Sequence, residues 1–328
     1  MGDFNRGSCA VSGKQDIWLS VVIPVHDGER WLSETLDSVA IQSEPGIECL
    51  VIDSSPGEGT LDLVRTYQDR LNLRVFKRRD LDNWRTKTNF GFEQAQGRHV
   101  SMLHQDDFWM PGRVAALKSW IAARPDAAMF LHPSYFVNEN GRQLGVWRCP
   151  LRSGTPTDSR TMIERLLVQN FISVPAPAIS REHFLRAGGI DESLWYTGDW
   201  DLYLKIAASG EVIYHDEPLS CFRIHGQSMT MTGSRDSSAF ASQMLGVMRK
   251  HVEKLDEPAR SRVLKLALAS IDVNIGLAEA NGGSLKPLLS AAVSLAGLGP
   301  VGLARYMRDS RIVDRLTPRL RARLSGGL

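Results

Sequence analysis

The chain has 328 residues, 43% of them hydrophobic and 23% charged. That excludes a disordered polymer and allows one large domain or two ordinary ones. A net charge of +2 gives no general attraction to nucleic acid, so no nucleic-acid partner is expected. The four cysteines, at 9, 49, 149 and 221, form no CxxC pair, which excludes a zinc or dithiol motif and suits a reducing compartment.

The polar, glycine-rich stretch 1–16 reads as a flexible leader without an apolar signal core. Trp18 to Val25 is a short apolar, β-branched run, hence a buried strand. Residues 29–42 follow with Trp31, Leu32, Leu36 and Val39 on one helical face. Ile47 to Ile52 predicts a second strand, 59–70 a helix, Leu73 to Phe76 a third strand, and Thr86 to Gln96 a helix stopped by Gly97. His99 to Leu103 is the fourth strand. This βαβα order predicts a mainly parallel sheet, with ligands at the carboxyl ends of its strands. Asp27, Asp53, Asp106 and Asp107 all follow strands and should share one rim.

Beyond this the order is mixed. A helix is expected from Met110 to Arg124, extended chain from Ala127 to Val137, and a turn at Asn138 to Gly141 leading into another strand. Helices are expected at 158–169, before Gly188-Gly189 and at 199–209, and strands near 176–180, 212–214 and 219–224. The glycine pair should turn sharply and carry Asp191 and Glu192 outward. After Met231-Thr-Gly-Ser the composition becomes Leu/Ala/Arg-rich, which predicts three or four helices and a subdomain boundary near 233. Pro287 to Ala304 is apolar but broken by Gly297, Gly299, Pro300 and Gly302, so a packed or interfacial hairpin is expected rather than a spanning helix.

Two acidic clusters carry the chemistry. His104-Gln-Asp-Asp107 ends the fourth strand, and Asp199-Trp-Asp201 opens a helix about ninety residues later. Paired carboxylates suit a hard divalent cation, and a separate carboxylate suits proton abstraction. The bland alternative is that each cluster merely caps a helix.

Val21-Val-Ile-Pro-Val25, Val51-Ile-Asp53, Asn89-Phe-Gly91, Leu103-His-Gln-Asp-Asp107, Gly188-Gly-Ile-Asp-Glu192 and Asp199-Trp-Asp-Leu202 occur in this order. Together they resemble the family 2 glycosyltransferases, nucleotide-sugar-dependent enzymes of the GT-A fold, across residues 18–230. The resemblance implies an α/β GT-A domain over 17–233, with a mixed, mainly parallel central sheet flanked by helices, and a C-terminal helical extension over 234–328. It implies inverting transfer of a sugar from a nucleotide-diphosphate donor to a glycan or lipid-linked acceptor, with Mg²⁺ or Mn²⁺, in cell-surface polysaccharide synthesis. Nucleotidyl transfer and a non-catalytic carbohydrate- or nucleotide-binding module are the alternatives.

By the same resemblance Asp106 and Asp107 would hold the metal, with His225 completing the site. His104 stands where the family motif has its first Asp, which leaves ligation, a ribose contact or no role open. Asp199 is the candidate base, with Asp201 the fallback. Donor contacts fall on Pro24, His26, Asp27, Asp53 and Asp106, and Arg85 and Lys87 could reach the phosphates; Arg223 could approach them too. Trp195, Tyr196 and Trp200 flank the candidate base, where they would face a sugar ring or pack in the core. The end of the chain, Pro300 to Leu328, carries seven arginines against Asp309 and Asp314 among regularly spaced apolar residues. It reads either as a helix packed on the catalytic domain or as an amphipathic segment for anionic lipid. A cytoplasmic protein is expected, with peripheral contact to the inner membrane face in the second case.

Overall fold

The computed structural model describes residues 16–226, 236–281 and 286–324. Its strands in chain order are β1 (Leu19–Val25), β2 (Ile47–Asp53), β3 (Leu73–Lys77), β4 (His99–Met102), β5 (Phe108–Trp109), β6 (Met129–Leu131), β7 (Ser134–Val137), β8 (Gln143–Trp147), β9 (Pro156–Thr157), β10 (Ala178–Ser180), β11 (Val212–Tyr214) and β12 (Ser220–Arg223). The helices of the first two thirds are α1 (Leu32–Ala40), α2 (Gly59–Arg65), α3 (Trp84–Gln94), α4 (Arg113–Ala123), α5 (Ser159–Val168), α6 (Arg181–Arg186) and α7 (Gly198–Ala207). Then come α8 (Ser237–Val252), α9 (Ala259–Asn281), α10 (Lys286–Ala296), α11 (Gly299–Ser310) and α12 (Ile312–Leu324).

Eight strands form the central sheet in the order β3-β2-β1-β4-β10-β6-β11-β9. β1 runs parallel to β2 and β4, and β2 parallel to β3, as the βαβα order predicts. β10 lies antiparallel between β4 and β6, and β9 antiparallel to β11, so the sheet is mixed. A three-residue apolar strand carries no directional signal of its own, which is why the reversal is invisible in sequence. Four more strands form a second sheet in the order β5-β12-β7-β8.

β1 shows why the sheet is covered on both sides. Val22 enters one hydrophobic cluster with Leu50, Ile52 and Phe92, whereas Val21, Ile23 and Val25 enter another with Leu36, Val51 and Val64. Alternate side chains of a strand face opposite ways, so an uninterrupted apolar run requires two cores.

The C-terminal region has five helices among the described residues, one or two more than its composition suggests. The extra break is at Arg311, whose φ of 49° stops α11 before α12. Phe240, Met244 and Val247 of α8 and Val263, Ala267 and Ile271 of α9 belong to the same cluster as Val22 and Leu50, so these helices share the core of the sheet. The boundary expected near 233 lies outside the described residues, as does most of the leader.

No single described helix is long and apolar enough to cross a membrane; α10 and α11 together are, but they are bent by 115°. The arginine-rich end is a packed element. Pro318 of α12 sits where a Cβ on Gly145 of β8 would lie 2.6 Å from its Cγ. Arg321 donates to the Leu144 carbonyl at 2.7 Å, and Ala322 is buried with Phe136 and Trp147. This favours the packed-helix reading of the tail.

Candidate active site

The carboxyl ends of β1 and β4 open into a cleft of about 680 Å³. β4 ends in a turn closed by the Asp107 N–H donating to the His104 carbonyl, and this turn points His104, Asp106 and Asp107 into the cleft. Neither aspartate caps the next helix: α4 starts after Gly112 without a side-chain cap. Asp107 instead accepts the Arg223 backbone N–H at 2.9 Å on Oδ1. Its Oδ2 is buried without a hydrogen-bond partner among the described residues. Burial, and then the charge of Asp106, push the Asp107 carboxyl well above the ordinary range. Burial pushes Asp106 the same way, but the hydrogen bond from His225 Nε2 (2.8 Å) and the fields of His104 and His225 outweigh it and hold Asp106 low.

One ligand atom each from His104, Asp106 and Asp107 lie within 4.8 Å of one another. The His104 Nε2 is buried and unpartnered, and burial lowers its pKa, which favours the neutral imidazole that binds metal. A buried carboxylate with an orphaned oxygen and a half-buried one, beside a neutral imidazole, fit a divalent cation, whose charge would replace the proton that burial otherwise forces onto Asp107. His225 stands just outside this trio, bonded to Asp106 and tilted against Trp31 with ring centroids 4.4 Å apart. Trp84 meets His104 edge-on at 5.5 Å. Arg223 is a staple behind the turn, not a free cation. It donates to the carbonyls of Asp106, Asn138 and Glu139, and pairs with Glu34.

The donor-side residues separate into two sets. Pro24, His26, Asp27, Lys87 and Asp106 line the cleft. His26 is clamped by Gln105, which accepts its N–H at 2.8 Å and donates to its carbonyl at 3.0 Å, leaving the imidazole largely exposed. Asp27 has a φ of 48° and its N–H bonds Ser55 Oγ at 2.8 Å. Lys87 bonds the Val25 carbonyl and Ser54 Oγ, both at 2.7 Å, and burial lowers its pKa to about 8.

Asp53 and Arg85 lie outside the lining. Asp53 is fully buried and spends Oδ1 on Ser55 and Oδ2 on Lys77 at 2.8 Å, which fixes the loop after β2. Arg85 turns towards the opposite loop and donates to the Glu192 and Trp195 carbonyls. That loop starts at Gly188 and Gly189, both at positive φ (73° and 70°), a conformation a side chain would strain.

The same loop delivers α7, whose N-cap is Thr197 with no side-chain cap, so Asp199 lies inside the first turn and not at the N-cap. Asp199 lines the cleft. Its Oδ1 accepts the Trp200 N–H at 2.8 Å and its Oδ2 accepts Asn170 Nδ2 at 3.1 Å. Burial raises its pKa to about 6, against the pull of those two donors. Asp201 points the other way, as two residues on a helix must. It is fully buried, bonded to His251 at 2.8 Å and paired with Lys250 at 2.9 Å and Lys205 at 3.1 Å. Those partners outweigh desolvation and keep its pKa depressed. Asp201 therefore anchors α7 to α8 and lies outside the cleft lining, which counts against it as the fallback base. Trp195 and Tyr196 line the cleft; Trp200 does so too, with its indole N–H given to the Leu166 carbonyl at 2.8 Å.

Several lining residues carry no signal in sequence: Asn170 after α5, Phe240 and Met244 from α8, and Arg315 and Arg319 from α12. All but Asn170 reach the cleft because the C-terminal helices fold back over it.

A model of the family described as "Glycosyl transferase family 2" matches residues 20–184, half of the chain. The chain belongs to glycosyl transferase family 2. An uncharacterized glycosyltransferase from Rickettsia typhi is 22% identical to it over 71% of this chain and 72% of its own. Residues 1–349 of Staphylococcus aureus TarS, a poly(ribitol-phosphate) beta-N-acetylglucosaminyltransferase, superpose with a TM-score of 0.63 at 20% identity, covering 88% of this chain and 81% of that one. A mannosyltransferase from Pyrobaculum calidifontis, solved with GDP-Man and Mn²⁺, gives 0.55 at 17% identity, covering 90% and 86%. The protein is a glycosyltransferase with the GT-A fold, and nucleotidyl transfer and a non-catalytic module are set aside.

Proposed function

We propose that the protein is an inverting glycosyltransferase that moves a sugar from a nucleotide-diphosphate donor to a hydroxyl of a glycan or lipid-linked acceptor in cell-surface polysaccharide synthesis. The observation that carries this reading is that one cleft holds both the His104/Asp106/Asp107 group and the separate, desolvated carboxylate of Asp199. Likeness to TarS and to a putative teichuronic acid biosynthesis glycosyltransferase of Bacillus subtilis supports the polysaccharide setting. Neighbouring structures solved with UDP, UDP-GlcNAc or GDP-Man support a nucleotide-sugar donor.

His104, Asp106 and Asp107 would hold Mg²⁺ or Mn²⁺, which when bound neutralises charge on the departing diphosphate as a Lewis acid. His26, Asp27 and Lys87 shape the donor end of the cleft, and Lys87 adds a positive charge beneath the β1 loop. Asp199 accepts the proton of the attacking acceptor hydroxyl on Oδ2 or Oδ1, while Asn170 and the Trp200 N–H hold the carboxylate in place. Attack from the face opposite the leaving group inverts the anomeric carbon. Trp195 and Tyr196 offer ring faces to the acceptor sugar and exclude water from it.

The apolar residues exposed on the bent α10–α11 pair, Leu289, Val293 and Val301 among them, together with exposed arginines, support peripheral contact with anionic membrane at the cytoplasmic face. The test of the transfer reading is a calorimetric titration of UDP-GlcNAc and GDP-Man into the protein with Mn²⁺ and with EDTA. Binding that needs Mn²⁺ and is lost in Asp106→Asn supports it; no binding of any nucleotide sugar overturns it.

A further inference from the structure

Trp147 of β8 and Arg315 and Arg319 of α12 line the same cleft as Asp199. Arg315 is only 8% exposed, yet it lines the cleft. Its Nε and Nη1 are buried without a hydrogen-bond partner among the described residues. The acids closest to it in sequence are already used: Asp314 pairs with Arg311 at 2.7 Å and Asp309 with Arg308 at 2.7 Å. Trp147, also 8% exposed, lies beside it, with the guanidinium carbon 5.6 Å from the ring centroid. The Trp147 indole N–H is likewise buried and unpartnered among the described residues. Arg319, one turn further along α12, lines the same wall.

A cation–π contact satisfies the face of a guanidinium and leaves its in-plane N–H groups wanting acceptors. Buried donors without acceptors cost free energy and are rare in native proteins unless a ligand or water completes them. Three buried, unpartnered N–H donors, two of them on a cation, are complementary to an anion. Burial, and then the nearby charge of Arg319, lower the Arg315 pKa only to about 10, so it stays charged at neutral pH. Asp199 is among the charges that Arg315 feels, which places this wall on the base side of the cleft, where the acceptor enters.

We propose that Trp147, Arg315 and Arg319 form an anion subsite that receives a phosphate or carboxylate carried by the acceptor. Calling the bound molecule the acceptor rests on the transfer reading above; the subsite itself does not. It makes the protein selective for anionic over neutral glycan acceptors. It also explains why an arginine-rich segment is packed inside the cleft wall instead of lying in solvent.

The experiment is a calorimetric titration of inorganic phosphate, glycerol 1-phosphate and glucuronate, in EDTA so that no metal holds an anion at Asp106 and Asp107. The proteins are wild type, Arg315→Gln, Arg319→Gln and Trp147→Phe. Wild type should bind at least one anion, and Arg315→Gln should weaken it by about tenfold or more, the scale of a lost hydrogen bond to a charged group. Trp147→Phe keeps the ring and should weaken it severalfold. Tighter binding of glycerol 1-phosphate identifies a phosphorylated acceptor, and of glucuronate a uronate. Wild type that binds none of the three, or equal affinity in all four proteins, overturns the subsite. If Arg315→Gln fails to fold, Trp147→Phe and Arg319→Gln decide alone. UDP and GDP with Mn²⁺ are titrated in parallel: their failure to bind would sink the transfer reading while the anion titrations still judge the subsite.

Discussion

Asp199→Asn is the perturbation that isolates the proposed base. Asp199 offers one oxygen to the Trp200 N–H and the other to Asn170, and a carboxamide has a single acceptor oxygen. One donor therefore loses its partner, at a cost of about 1 kcal/mol of stability, while the fold persists. The rate consequence is larger. Removing a positioned general base lowers turnover by about 100-fold to 10,000-fold. The pH dependence follows from burial of the carboxyl, which raises its pKa to about 6. The base works ionised, so kcat/KM should rise with pH through about 6; the ionised fraction falls from about nine-tenths at pH 7 to about one-tenth at pH 5. The assay is nucleoside diphosphate release from a nucleotide sugar with acceptor between pH 5 and 8, alongside calorimetric nucleotide affinity. Asp199→Asn should bind nucleotide as wild type does, turn over slowly and lose the rising limb near 6. Wild-type turnover with an unchanged pH profile would refute the assignment.

Asp106→Asn and Asp107→Asn should keep their melting temperatures to within a few degrees and lose orders of magnitude in turnover, read by nucleoside diphosphate release in Mn²⁺; full activity of both in EDTA would contradict the metal site. Asp201→Asn removes a buried charge from His251, Lys250 and Lys205 and should cost about 3 kcal/mol by urea unfolding, with nucleotide affinity retained in the folded fraction. Because the folded pKa of Asp201 is depressed, its stabilisation is present above the unfolded value near 4 and is lost as pH falls below it, so the mutant and wild-type unfolding curves should converge in acid. Truncation after Gly299 removes Tyr306, Ile312 and Ala322 from buried clusters, and should lower the unfolding midpoint sharply instead of sparing activity on soluble acceptors. If the truncated chain melts like the full one and only loses binding to anionic vesicles, the packed role of α12 is wrong.

The early strands are legible in sequence because β1 and β2 are unbroken β-branched runs, and burial on both faces demands that pattern. The acidic turn is legible because carboxylates at the end of an apolar strand have nothing to pair with locally. What escapes is whatever depends on long-range placement. Asp53 and Arg85 sit in positions that suggest ligand contact, but their partners, Lys77 and the carbonyls of Glu192 and Trp195, come from other segments. Sequence ranks Asp199 ahead of Asp201 as the base but keeps the second as a fallback. His251 on α8, fifty residues away, claims one of them and leaves the other for the cleft. The basic end reads in sequence either as a packed helix or as a lipid-facing one, because amphipathically spaced arginines suit both, and the groove offered by Gly145 and Trp147 makes it a wall.

The central claim is that this cleft transfers a sugar with inversion, and the anomeric configuration of the first product tests it most directly. Proton NMR of the product formed from an α-linked nucleotide sugar in Mn²⁺ should show a β-anomeric coupling from the earliest time points, and none in EDTA. An α-configured product would contradict in-line attack assisted by Asp199.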